Sequence, residues 1–154
     1  MTTTGLTTFL WFNEQAHEAA TLYTELFGGS IGNTSYYQAD AQRPAGSVLT
    51  VEFELFGRPF VALNGGPGHP HSDATSFQVH CETQDDVDRV WSALIADGGS
   101  EGRCGWCTDR FGVSWQVIPH DLGRYLGDPD PAVSRYAFQA MMQMSKIVVA
   151  DLVA

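Results

Sequence analysis

The chain has 154 residues, 44% of them hydrophobic, enough for one compact domain or two small half-domains that share a core. Its 18 acidic and 8 basic side chains give a formal net charge of −10, and no local Lys/Arg cluster offsets it, which argues against nucleic-acid partners. No run reaches the roughly 18 apolar residues of a membrane span, and Met1 to Phe12 has neither a basic start nor a long apolar stretch, so a soluble, cytoplasmic protein is expected. The three cysteines are an odd count without a disulfide framework, in keeping with a reducing compartment.

Thr7 to Phe12 is short, apolar and aromatic, and reads as a strand. Asn13 follows as a helix N-cap, and Ala16, Ala19, Ala20, Tyr23 and Phe27 recur at helical spacing over Glu14 to Phe27 until Gly28 and Gly29 stop the run. Ile31 to Gln38 is β-prone, and Asp40 to Gly46 is a turn-rich loop. Val48 to Leu55 and Phe60 to Asn64 form a hairpin around a tight turn at Phe56 to Pro59. Gly65 to Asp73 has no periodicity and reads as a linker. Its Gly65-Gly66-Pro67-Gly68 lacks the lysine and the following helix of a phosphate loop, and no glycine fingerprint of a dinucleotide site follows any strand.

The same order then repeats. Ser76 to Glu82 is a strand, and Thr83 caps a helix carrying Val87, Val90, Trp91, Leu94 and Ile95 that Gly98 and Gly99 end. Glu101 to Thr108 and Val113 to Pro119 are strands around a turn at Asp109 to Gly112. Pro129 and Pro131 open a further helix with Val133, Tyr136, Ala137, Ala140, Met141 and Met144 on its apolar face. The chain is therefore expected to be α+β: one domain over 1–154, with a βαβββ module at 5–64, a second at 74–119 and a C-terminal helical extension at 120–154.

Strand alternation sorts the polar candidates by face. Phe77, Val79 and Cys81 should pack on a helix, leaving Ser76, Gln78 and His80 opposite, and Ser114 and Gln116 share a polar face on the last strand. Asn64 is read as lying with Ala62 and Phe60. Polar groups on the inner face of a curved sheet need partners, which a ligand, water or one another can supply. His80 is the candidate catalytic base, since imidazole titrates close to neutrality, or else a satisfied structural histidine. His69 and His71 lie in a solvated loop with nothing beside them to complete a metal site. Cys104 and Cys107 form a C-x-x-C in a strand context, without the helix N-terminus that activates redox pairs and without a second pair for zinc.

Trp11-Phe12-Asn13, Ala19-Ala20 with Tyr23 and Phe27, Gly46 to Leu55, Pro59 to Gly66, Ser76 to Thr83, Cys104-Gly105-Trp106 and Asp109 to Gln116 together resemble the vicinal oxygen chelate superfamily of glyoxalase I, bleomycin-resistance proteins and extradiol dioxygenases. The nearest likeness is to its PhnB-like branch, often labelled 3-demethylubiquinone 3-methyltransferase-like. The resemblance implies paired βαβββ modules around a pocket, and homodimers. It also implies metal ligands at positions matching Thr8, Asn64, Ser76 or Gln78, and Gln116, none of which is His or Glu here. No metal and no cofactor are therefore expected. The expected function is a metal-free pocket for a small planar or aromatic ligand, held by Phe12, Asn64, Gln78, Trp106 and Gln116, with no nucleic-acid or membrane partner. The alternatives are a lyase, isomerase, dioxygenase or methyltransferase in which His80 acts as base, or a purely structural dimer.

Overall fold

Alternation along Val48–Leu55 decides the first sheet. Val51, Phe53 and Leu55 are buried while Glu52 and Glu54 are exposed, so every second side chain enters the core. The computed structural model describes residues 4–39 and 43–153; Asp40, Ala41 and Gln42 of the expected loop lie outside them. Contacts divide the chain into residues 1–70 and 71–154.

The first unit contains β1 (Thr8–Phe12), α1 (Ala16–Phe27), β2 (Ser30–Tyr36), β3 (Val48–Leu55) and β4 (Arg58–Asn64), with sheet order β1-β4-β3-β2. β1 runs parallel to β4, and the other pairs are antiparallel. Ala16, Ala19, Ala20 and Tyr23 are wholly buried, and the three alanines let α1 lie close against the sheet. Gly28 ends the helix in a left-handed conformation, as its sequence position foretells. The start differs from expectation. Asn13 does not cap the helix; Gln15 is the N-cap and makes no side-chain cap bond, and the Ala16 N–H instead donates to Asn64 Oδ1 at 2.8 Å. The β3–β4 turn is shorter than Phe56 to Pro59: Phe56 and Gly57 both have positive φ, and Arg58 already pairs with Leu55.

The second unit contains β5 (Ser76–Cys81), α2 (Gln84–Ile95), β6 (Ser100–Glu101), β7 (Trp106–Thr108) and β8 (Ser114–Pro119), ordered β5-β8-β7-β6. Thr83 Oγ1 accepts the Asp86 N–H at 3.1 Å, which fixes the start of α2. Val87 and Leu94 are fully buried, each contributing about 1.5–3 kcal/mol of apolar transfer. The expected strand over Glu101 to Thr108 is instead two short strands. Between them the Trp106 N–H donates to Arg103 O at 3.0 Å, and Cys104 and Gly105 both adopt positive φ, closing a tight turn.

A C-terminal segment completes this unit: α3 (Leu122–Leu126), which sequence reading did not anticipate, and α4 (Pro131–Met141), opened by Asp130 capping Ala132 N–H at 2.8 Å. Leu122, Ala137, Ile147 and Leu152 form its core, with Ile118 packed against them. Gln84 ties the segment to α2, donating to Ile147 O at 3.1 Å and accepting Val149 N–H at 2.9 Å. Cys104 N–H and Gly105 N–H donate to Met144 O and Ser145 O, both at 2.8 Å.

Candidate functional site

β5 and β8 run parallel in register, so residues facing away from α2 fall into rows across the sheet. Gln78 pairs with Gln116, and Gln116 with Trp106 on β7. Ser76 pairs with Ser114, and Ser114 with Thr108. Phe77, Val79, Cys81, Trp115 and Val117 take the helix side, where the Phe77 and Trp115 rings meet at 5.4 Å. Gln78 and His80 are exposed, and Gln116 and Trp106 are partly buried.

Hydrogen bonds join these rows. Gln78 Nε2 donates to Gln116 Oε1 at 3.3 Å, and Gln116 Nε2 donates to Ser76 Oγ at 2.8 Å. Ser114 Oγ donates to Asp73 Oδ1 at 2.7 Å. The amides are thus held side by side at one orientation on a surface next to an indole. Each amide has four hydrogen-bonding positions, and the row uses one at Gln78 and two at Gln116. Farther along the face Ile118 lies against the C-terminal core, so that segment bounds one end of the site. Toward β6 the face opens into a cleft of about 380 Å³ lined by Asp73, Ser100, Gly102, Arg103, Trp106 and Thr108, among others.

Of the residues expected to form a site, Gln78, Trp106 and Gln116 share one row. His80 stands on the same face, opposite Ile118 in register. Phe12 and Asn64 are placed otherwise. Phe12 is 3% exposed and pairs with Asn64 on the α1 side of the first sheet. Asn64 is buried, its Oδ1 bonded to Ala16 N–H and its Nδ2 to Val48 O at 3.1 Å. The face of the first sheet away from α1 instead carries Phe9, Trp11, Val61 and Leu63, which sequence reading passed over. Trp11 is covered there: its Nε1 donates to Gly66 O at 2.8 Å, and the His69 ring lies 4.3 Å from it.

The cysteines follow the same geometry. Cys107 faces the core, and burial first, then the Asp109 and Glu101 carboxylates, push its thiol up to about 12. Burial, with Asp86 nearby, also raises Cys81. Cys104 sits in the turn, partly exposed, with its sulfur 3.7 Å from Met142 Sδ.

The donors at the metal positions implied by the superfamily do not fit a divalent cation. Thr8, Asn64, Ser76, Gln78 and Gln116 are neutral, whereas hard cations favour carboxylate oxygens and transition metals favour imidazole, carboxylate or thiolate. The one oxygen of the Asn64 side chain is already bonded to the helix. Among the described residues no three His, Cys, Asp or Glu side chains gather at one point. The glycine-rich segment is closed at its first residue, where the indole of Trp11 packs on the backbone. A Cβ on Gly65 would stand 2.1 Å from the Trp11 ring, so the close approach that glycine permits is already filled.

A sequence model of the family described as 3-demethylubiquinone-9 3-methyltransferase matches residues 4–118. A PhnB protein from Bacillus cereus that carries the same description is 32% identical, with a TM-score of 0.68 over 75% of this chain and 99% of its own. The PA1353 protein from Pseudomonas aeruginosa is 23% identical, with a TM-score of 0.61 over 76% and 98% of the two chains. The fosfomycin resistance protein FosX from Listeria monocytogenes shares the fold at 11% identity and a TM-score of 0.52, over 77% and 94%. Curated proteins yield no match. Two βαβββ units, the matching family model and the Bacillus cereus relative agree: the chain belongs to the 3-demethylubiquinone-9 3-methyltransferase family, in the PhnB-like branch of the vicinal oxygen chelate superfamily.

Proposed function

We propose that this protein binds a small planar ligand on the open face of its second sheet, without a metal, as a cytoplasmic homodimer. The supporting observation is the row Gln78–Gln116–Trp106, in which two mutually oriented amides lie beside an indole. The indole offers a flat apolar surface, and the amides offer both donors and acceptors to the edge of a ring. Pre-orientation of the amides through Ser76 lowers the entropy lost when a ligand is bound.

Benzamide, a neutral planar amide, is a suitable first test compound. Its addition should shift the Trp106 indole N–H resonance, and Gln116→Leu should weaken that binding about tenfold, the loss of one or two hydrogen bonds. Unchanged affinity in a folded Gln116→Leu protein would refute the reading. Native mass spectrometry before any chelator is added tests the other two parts: a dimer without extra mass supports them, and a stoichiometric metal overturns the metal-free assignment.

A second reading is an enzyme, a lyase, isomerase, dioxygenase or the methyltransferase of the family description, with His80 as base. It is favoured by His80 standing exposed on the same face, two residues along the strand from Gln78. Thermal stabilisation by a divalent ion or by S-adenosylmethionine, lost in His80→Leu, would support it.

A further inference from the structure

Arg103 stands out among the basic side chains. Arg43, Arg89, Arg110, Arg124 and Lys146 each form an ion pair, whereas Arg103 has none among the described residues. This occurs in a protein with a net charge of −10. Arg58 and Arg135 also form no ion pair among the described residues, but neither lines the cleft beside Trp106. Arg103 does, and the turn fixes the two residues close together, because the Trp106 N–H is bonded to Arg103 O. The two carboxylates in the same lining are already engaged: Asp73 accepts from Ser114 Oγ at 2.7 Å, and Glu101 accepts from Trp91 Nε1 at 3.2 Å.

We infer that the ligand of this face, already read as the binding site, is a planar carboxylate, its ring lying on Trp106 and its two oxygens taken by the Arg103 guanidinium. A guanidinium is always charged, and its N–H groups match the two oxygens of a carboxylate. Such a group would meet Arg103, the basic side chain in the cleft lining, and a polar substituent on the far edge of its ring would reach Gln116. The surrounding acidic surface slows the approach of an anion, so the affinity depends on this local contact and weakens as salt is added.

The inference is tested with three compounds on the full chain, followed through the indole N–H resonances: benzoate, benzamide and cyclohexanecarboxylate. Benzoate should shift the Trp106 signal and bind about tenfold more tightly than either of the others, since benzamide lacks the charge and cyclohexanecarboxylate the flat ring. Arg103→Gln should remove that advantage over benzamide, lowering benzoate affinity far more than benzamide affinity; Arg103→Lys should restore part of it. Equal binding of benzoate and benzamide, unchanged benzoate binding in Arg103→Gln, or no Trp106 shift with benzoate overturns the inference. Benzamide binding that depends on Gln116, with no preference for benzoate, refutes the carboxylate alone and leaves the amide row as the ligand site. Benzamide binding that ignores Gln116 refutes the amide row as well.

Discussion

Asn64, the last residue of β4, caps a helix that begins 48 positions earlier: its Oδ1 accepts the Ala16 N–H at 2.8 Å while its Nδ2 donates to Val48 O. One side chain thereby satisfies a helix start and a strand start, and ties α1 to the sheet. Asn64→Ala strands two backbone groups, at about 1–3 kcal/mol for each that stays buried. Urea unfolding should show the loss, and benzamide binding on the second unit should be unaffected. A stable Asn64→Ala protein that no longer binds benzamide would return Asn64 to the ligand site.

The two glycines after α1 differ in what they prevent. Gly28 has φ 74 with open space around its absent Cβ, so Gly28→Ala costs about 1 kcal/mol of backbone strain. At Gly29 a Cβ would stand 2.1 Å from Glu54 O, a backbone atom that cannot swing aside. Gly29→Ala should therefore cost more, about 1–3 kcal/mol, with the sheet forced away from the helix end. Thermal unfolding of the two variants decides the order.

Cys107 should be inert to alkylation in the folded protein at pH 8, because its thiol, raised to about 12, holds almost no thiolate there. Iodoacetamide labelling read by mass spectrometry should place the first label on Cys104. The same shift links the thiol to stability. Between the ordinary thiol value of 9.0 and about 12 the unfolded chain has lost a proton that the folded one keeps. Stability therefore falls as pH rises through that window, by at most about 1.4 kcal/mol per pH unit. Cys107→Ala should flatten this alkaline limb; an unaltered limb would assign it to other groups.

Lys146 Nζ lies 2.6 Å from Asp88 Oδ1, and Gln84 Nε2 bonds the same oxygen at 3.0 Å. Lys146 first, then Gln84, hold the Asp88 carboxyl below its ordinary value. The lowered value means the contact is intact above the usual carboxylate range and is lost as pH falls below it. Lys146→Met should raise the Asp88 titration midpoint in carboxyl NMR and speed hydrogen exchange at Val149. An unmoved midpoint would mean the ion pair does not form in solution.

The two sheets were unequally legible, for a physical reason. Ser76 to Cys81 alternates polar and apolar, so the face carrying Gln78 and His80 could be read directly, and Gln116 followed from the same rule on β8. Thr8 to Phe12 is almost wholly apolar, so its phase is ambiguous; Phe12 belongs to the α1 side and Trp11 to the other. The phase was recoverable only through β3, whose glutamates mark the outer face, and then across β4 by register. Asn64 looked like a ligand group because a polar residue ends an apolar strand, and nothing local indicates a helix 48 residues away that lacks its own cap. Arg103 was hidden for a similar reason, since Cys104 and Gly105 break the strand into a turn that places it beside Trp106.

The two backbone bonds from Cys104 and Gly105 to Met144 and Ser145 form late in synthesis. The turn holding Arg103 and Trp106 is anchored by carbonyls made forty residues later. At a translation rate of about 5–20 residues per second, that interval lasts roughly 2–8 s. For those seconds the turn beside the cleft is held by its own hairpin bonds alone, and its outer anchor arrives only with Met144 and Ser145.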